Sequence, residues 1–479
     1  MRKFSVINLS ITAALLSGCA LFSPAYNKPV IEQPTTTRSG IAIESSDVDL
    51  SKMEWWKKVN DPILNQLMIL ALTNNAQIQT AHGNIMQAQA SLKAAQYSWL
   101  PTLSGLGGGF VGGNFLTDVN SSYTPGAITS SGFNGAFGGF LPSYSFNVFA
   151  NISQTKLAKA TLDMQRAAYN ATRLTIINQI SNGYFTLLAQ KKQLIVQQQQ
   201  IDDAKELRRL EAIQVQKGAA DLADLISYDQ TIAGYEANLP SIENSIAQNA
   251  IKVLINQNPG PIITDGSIDK LNIESIIPAN IPSSVLKNRP DIIQAEDSLK
   301  IANANIAVAN SKFFPSINIT GFAGGMTEAL STLLNMSTGI WTIVGVASMP
   351  IIDAATYEQV DAAEGGYYAQ YYSYINTVKS AFQNVDNNLT NKANMDKVYN
   401  KTYQSYQLAD ANYKINLVQY NVGNAAMTNV LQAKISLDGA NLNLIQAKAQ
   451  QLTAVSQVFD ALAVGYAAES ELSKPKKIK

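Results

Sequence analysis

Histidine and cysteine, the side chains that most often hold metals or attack carbonyl carbons, occur once each in this chain, as His82 and Cys19. One of each cannot build a zinc centre, which needs three or four protein ligands. His82 stands among Ala and Gln in a helical pattern and reads as a packed or solvated side chain. No Gly-x-x-x-x-Gly-Lys phosphate loop and no Gly-x-Ser-x-Gly elbow is present. Arg289-Pro290-Asp291-Ile292 sets a cation beside a carboxylate, but Pro at the first helical position with Asp in the first turn is helix-start chemistry. No catalytic residue, metal-ligand set or cofactor motif emerges, so an enzyme is the remote reading. The 35 basic and 35 acidic side chains among 479 residues cancel, which leaves no electrostatic footprint for nucleic acid.

Cys19 offers a different chemistry, acylation. Arg2 and Lys3 form a basic start, and Phe4 to Leu16 is a short, mostly apolar run, the pattern of an export signal. It ends in Leu16-Ser17-Gly18-Cys19, which looks like a bacterial lipobox, with cleavage before the cysteine and lipid attached to it. Ala20 follows, where an Asp would resemble an inner-membrane retention signal, so sorting to the outer membrane is expected. No other cysteine exists, so no intramolecular disulfide can form. Residues 20 to about 50, with Pro24, Pro29, Pro34 and Gly40, read as an extended leader. No later run of 18 apolar residues provides a transmembrane helix. A closed barrel of alternating strands remains open.

The chain is written twice. Ala88-Gln89-Ala90 and Pro101 lie over Ala302-Asn303-Ala304 and Pro315, with Ala95 on Ala309 and Trp99 on Phe313. Each half has an Ala-rich helix (62–98, then 288–312), an aromatic-Pro break and a Gly-rich pair of alternating segments. These pairs are 102–116 with 133–149 and 316–326 with 340–352. Long helical stretches close each half, 152–256 and 355–466. Ser316 to Thr320 alternates polar and apolar, and Trp341, Ile343, Gly345, Ala347 and Met349 share one face. Segments of about ten residues suit tilted membrane strands. Four strands cannot close alone, since the smallest bacterial barrels have eight. The barrel must be shared between chains; two, three or four copies would all close it.

The helical stretches predict coiled coils. Residues 152–216 hold no Pro and one Gly, Gly183, and would make a rod of about 97 Å. Ile180, Leu187, Leu194 and Ile201 recur in sevens, as do Ile445, Leu452 and Phe459, with Val455 and Leu462 alongside. Gln197 to Gln200 read as part of a watered face. Each stretch breaks once, at Gln216-Lys217-Gly218-Ala219-Ala220-Asp221 and at Gln419 to Ala426 around Gly423. Gly fits a helix C-terminal cap there, with Asp221 or Asn424 starting the next helix. The two tips carry small, uncharged side chains, as a docking surface would.

These residues resemble the TolC-like outer membrane factors, in the lipoprotein branch that serves resistance-nodulation-division efflux systems. The strongest stretch is Ile281-Pro282, Arg289-Pro290-Asp291-Ile292, Ala295-Glu296, Ala302-Asn303-Ala304, Ala309 and Phe313-Phe314-Pro315-Ser316. Trp55-Trp56, Asp61-Pro62-Ile63-Leu64 and Pro350-Ile351-Ile352-Asp353 support it. The resemblance implies a mainly α chain with a membrane β-barrel part: a homotrimer with a 12-stranded barrel continuous with a 12-helix periplasmic tunnel. It implies docking to a periplasmic adaptor joined to an inner-membrane pump, through Gly218, Ala219, Ala220, Val422, Gly423 and Asn424. Asp224 and Tyr420 match residues of the family's closed aperture. Asn429 and Gln432 fall where carboxylates usually stand, and Ala425 or Ala426 replaces an arginine, so a less acidic gate is expected. The expected organisation is a signal (1–18), a lipid-anchored leader (19–59), a first repeat (60–258), a linker (259–282), a second repeat (283–466) and a tail (467–479). An exit duct for type I protein secretion and a structural coiled-coil lipoprotein are the rival readings.

Overall fold

A computed structural model describes residues 24–31, 43–44, 49–112, 133–242, 246–271, 281–282, 288–327 and 339–467. The signal segment, Cys19 and the C-terminal tail lie outside the described residues. The chain divides into two compact units, one of Met1–Lys28, Met86–Asp163 and Asp297–Tyr372, the other of Pro29–Ile85, Met164–Glu296 and Ser373–Lys479.

The first unit holds one antiparallel sheet in the order β2-β3-β5-β6, formed by β2 (Thr102–Gly112), β3 (Phe133–Phe146), β5 (Ser316–Thr327) and β6 (Gly339–Ser348). β3 stops at Phe146 because Asn147 begins a helix. Its Oδ1 accepts from the Ala150 amide at 3.0 Å, and its Nδ2 donates to the Ser311 and Phe314 carbonyls, both at 3.1 Å. β6 stops at Ser348, two residues before Pro350, which has no amide to continue a ladder. Asp353 then caps the next helix by accepting from the Thr356 hydroxyl at 2.6 Å.

The helices are α1 (Pro62–Asn74), α2 (Ala76–Tyr97), α3 (Val148–Gln216), α4 (Leu222–Ile242), α5 (Ile246–Leu254), α6 (Pro290–Asn310), α7 (Ala354–Asn421) and α8 (Met427–Ala461). Short parallel strands β1 (Ile43–Glu44) and β4 (Ile281–Pro282) pair beside them. The 69 residues of α3 extend about 100 Å. Where one helix over 62–98 was expected, Asn75 divides it in two. Its Oδ1 accepts from the Gln77 and Ile78 amides at 2.9 and 3.1 Å, and its Nδ2 donates to the Leu254 carbonyl at 2.8 Å.

The second unit owns the main core. Trp55 stacks on Phe459 at 4.6 Å, and Leu64, Met68, Ile176, Ile180 and Phe185 are fully buried around them. Asp61 caps α1 through the Ile63 and Leu64 amides and accepts the Tyr184 hydroxyl at 2.9 Å. Burial pushes the Tyr184 phenol well above its usual range. The heptad positions Ile180, Leu187, Ile201, Ile445, Leu452 and Phe459 are buried, but Leu194 is only half-buried. Val196, Gln197 and Gln200 take the interior there. Gln200 donates to the Ile435 carbonyl at 3.1 Å and Gln197 to Gln200, so the glutamine run is not uniformly a watered face. His82 meets Tyr169 edge-on at 6.4 Å.

At the end of α8, Arg289 is buried and donates to the Ala461 carbonyl and to Asp291. Burial raises the carboxyl of nearby Asp460 to about 6, against a smaller opposing pull from Arg289. A carboxylate with a raised folded-state pKa weakens the fold as pH climbs from about 4 through 6. Asp460→Asn is therefore expected to raise the thermal unfolding temperature at pH 7.5, with a gain of at most about 3 kcal/mol. That gain should vanish below about pH 4; a pH-independent change in the circular-dichroism melt would contradict it.

Candidate functional site: two helix tips and a two-faced sheet

The tips are built by one backbone device used twice. After α3, Gly218 takes φ +72°, its amide donates to the Val215 carbonyl at 3.0 Å, and the Ala219 amide donates to Gln214 at 2.9 Å. After α7, Gly423 takes φ +78°, its amide donates to Tyr420 at 2.9 Å, and the Asn424 amide donates to Gln419 at 2.8 Å. Both are Schellman caps, which satisfy the last helical carbonyls and favour glycine at the left-handed position. The following helices start differently. Asp221 accepts from the Ala223 amide at 3.0 Å, whereas Ala426, and not Asn424, is the cap residue of α8 and offers no side chain.

Gly218, Ala219, Val422, Gly423 and Asn424 are exposed, and Ala220 is half-buried. Open space surrounds both glycines. Asp224 in the first turn of α4, Tyr420 in the last turn of α7, and Asn429 and Gln432 on α8 are also exposed. Among the described residues their side chains form no hydrogen bond with one another. The structure therefore presents these four positions on the tip-proximal turns but does not join them within one chain.

Behind the tips the helices are cross-braced. Arg208 of α3 grips Asp229 of α4 with two bonds of 2.7 and 3.0 Å, and Lys205 meets Glu236 at 2.6 Å. These pairs are exposed, and such pairs fix register more than they stabilise. Between α3 and α8 lies a buried cluster that sequence reading missed. Lys434 reaches Asp438 and, at 3.6 Å, Asp203. Burial raises the Asp438 carboxyl, opposed by Lys434 and reinforced by Asp203. The i, i+4 spacing of Lys434 and Asp438 was the available signal; the approach of Asp203 from another helix was not.

The two faces of the sheet are read from its register. Paired residues share a face and neighbours alternate. Leu103, Phe140, Tyr144, Ile319, Trp341 and Ile343 share one side. In the single chain Trp341 is 77% exposed, Leu103 68%, Ile343 67% and Phe140 60%, so this apolar side has no cover. The other side is mixed: Thr102, Ser104, Ser145, Ser316, Asn318 and Thr320 lie near the strand ends that meet the helices, together with Val344 and Val346, each 54% exposed. Ser145 bonds Asn318, and Ser316 bonds Ser348 at 3.0 Å. Further along that side, Phe322 lies over Gly139 and Gly324, and Phe137 lies over Gly108. Among the described residues β2 and β6 each have one neighbour, so two rows of backbone groups are left unpaired there.

Among the described residues no cluster fit to hold a metal occurs, and no helix is long and apolar enough to cross a membrane.

The sequence model of a family described as "Outer membrane efflux protein" matches residues 67–254 and 281–464. The probable efflux pump outer membrane protein TtgC of Pseudomonas putida is 25% identical over 470 residues, covering 96% of each chain. Nodulation protein T of Rhizobium leguminosarum bv. trifolii is 24% identical over 473 residues, covering 97% of this chain and 98% of its own. Among solved structures, the Campylobacter jejuni CmeC outer membrane channel superposes with a TM-score of 0.78 at 24% identity, covering 95% of this chain and 96% of that one. The open state of the Neisseria gonorrhoeae MtrE outer membrane channel gives 0.79 at 24% identity, covering 93% and 98%.

Proposed function

The chain belongs to the outer membrane efflux protein family, and from that membership we propose that it is the outer-membrane exit duct of a tripartite efflux system. The observation that carries this reading is the sheet with one uncovered apolar face, a mixed second face that bears a Ser, Thr and Asn cluster, and, among the described residues, two open edges. In hydrocarbon an unpaired backbone group costs several kcal/mol, so such a sheet must close. Three copies set β6 of one against β2 of the next and make a 12-stranded barrel. The apolar face then meets lipid, and the mixed face with its Ser, Thr and Asn cluster lines the lumen. The long helices continue the lumen as a 12-helix tunnel in the periplasm.

Residues 1–18 are removed, Cys19 carries acyl chains in the outer membrane, and 19–59 lead to the repeats at 60–258 and 283–466, joined by 259–282. The tips at Gly218 to Ala220 and Val422 to Asn424 dock onto a periplasmic adaptor, which links the duct to an inner-membrane pump of the resistance-nodulation-division type. No bond is made or broken in this chain: docking splays the hairpins and cargo diffuses out. Deleting the gene is expected to sensitise cells to at least one toxic compound in a panel of dyes, bile salts and antibiotics, with plasmid rescue. Unchanged tolerance across the panel, in cells shown to make the protein, would sink the efflux reading.

Asp224, Tyr420, Asn429 and Gln432 close the periplasmic aperture through hydrogen bonds between copies. With amides at Asn429 and Gln432, Asp224 is the one carboxylate per copy among these four residues, and trivalent cations added from the periplasmic side are expected to block planar-bilayer currents less than they would a full carboxylate ring. Tight block from that side would contradict the amide gate.

A further inference from the structure

A groove of 720 Å³ opens between α3 and α6 in the unit that carries the sheet, a size in the usual range of small-ligand sites. Its α3 wall is ordered by chemistry. Phe149 and Ile152 come first, then Lys156 and Lys159 about 12 and 17 Å from the start of the helix. Because α3 begins just after β3, the apolar end of the groove is the end next to the sheet. Lys300 of α6 faces the same space, where Asp163 is the one acidic lining residue. Lys156 and Lys159 are exposed and form no ion pair among the described residues, while Lys300 pairs with Asp297 at 2.8 Å. The leader supplies the third wall. Asn303 Nδ2 donates to the Pro24 carbonyl at 3.1 Å, and the Tyr26 ring lies 6.0 Å from Lys300 Nζ.

We propose that this groove seats one anionic glycerophospholipid of the inner leaflet, its phosphate among Lys156, Lys159 and Lys300 and an acyl chain against Phe149 and Ile152. The inference rests on the reading of the sheet as a membrane wall. Two arguments select a lipid. The order of apolar then basic side chains away from the sheet matches the order of acyl chain then headgroup away from the bilayer centre, and lysine stems can snorkel toward the phosphate plane. Secondly, Cys19 precedes Pro24 by five residues, a reach of at most about 18 Å. The acyl chains on Cys19 must enter the bilayer outside the barrel, so the groove that holds Pro24 opens on the lipid side.

The test uses full-length protein in neutral detergent, titrated with dioctanoyl phosphatidylglycerol and read by native mass spectrometry of the intact assembly. One lipid per chain is expected. Lys156→Ala with Lys159→Ala should weaken binding by about tenfold or more, and arginine at both positions should restore it. Both lysines are exposed, so the lipid-free melting temperature of each variant should match the parent. Dioctanoylglycerol, which lacks phosphate, and inorganic phosphate, which lacks chains, should not compete. Equal lipid affinity in the double alanine variant would overturn the proposal, as would absence of retained lipid. Effective competition by inorganic phosphate would make the site one for a free anion and would overturn it too. A chain that conducts in bilayers yet binds no lipid fails here alone; a chain that never inserts fails the duct reading itself.

Discussion

Gly423→Glu and Ala219→Glu are each expected to abolish export from cells while assembled trimers still reach the outer membrane. Gly423 is left-handed at φ +78° with nothing within 4 Å of a new Cβ. A non-glycine residue there costs roughly 1–2 kcal/mol of local strain, too little to unfold a helical body with so large a core. Ala219 follows its own left-handed glycine and carries no such strain. What each glutamate changes is the proposed docking surface: a small neutral residue becomes a charge without a partner. Burying such a charge in an interface costs on the order of 2–5 kcal/mol, enough to weaken docking by about thirtyfold or more. Gly423→Asn is the control, since asparagine tolerates the left-handed region and adds no charge. Dye accumulation and trimer bands on unheated gels read the two effects apart. Export that survives both glutamates would show that the tips are not where the adaptor docks.

Gly324→Val is expected to act on the sheet, by removing folded trimers from the membrane altogether. Gly324 and Gly139 sit opposite each other across β5 and β3, with the Phe322 ring laid over both. A Cβ on Gly324 would press on the Gly138 carbonyl oxygen and stand 2.6 Å from the Gly139 Cα. These are backbone atoms of a hydrogen-bonded neighbour, so relief requires parting the two strands. Loss of several ladder bonds in hydrocarbon costs several kcal/mol per unpaired group, a sum that matches or exceeds the roughly 5–15 kcal/mol by which proteins are typically stable. Gly345→Ala in β6 is the matched control, because nothing lies within 4 Å of its Cβ position. Heat-modifiable trimers should persist with Gly345→Ala and disappear with Gly324→Val. Normal trimer yield from Gly324→Val would place strain tolerance in this sheet where none is expected.

The features legible in the sequence are those that one residue type enforces locally. Gly218 and Gly423 could be read as helix ends because a left-handed cap favours glycine, and both adopt it. The alternation in 316–320 and 340–349 could be read as strands because a pleated sheet separates neighbours by face. Features set by a partner distant in the chain were not legible. The break at Asn75 depends on the Leu254 carbonyl, and the burial of Gln200 on the Ile435 carbonyl. Neither partner leaves a mark near the residue it holds. The Asp203, Lys434 and Asp438 cluster is hidden for the same reason. The gate residues stand between these cases. Asp224, Tyr420, Asn429 and Gln432 could be placed near the tips by resemblance, but the bonds proposed for them run between copies and leave no mark within a single chain.

Copies of this chain are proposed to enclose one water-filled path that the tips keep shut. Single-channel recording in planar bilayers tests it most directly, with purified full-length protein and the Tyr420→Ala, Gln432→Ala double variant measured side by side. Discrete current steps are expected from both, with a clearly larger unitary conductance in the double variant because two of its proposed aperture contacts are gone. Silent bilayers for both proteins, with insertion of heat-modifiable trimers verified in the same membranes, would contradict it.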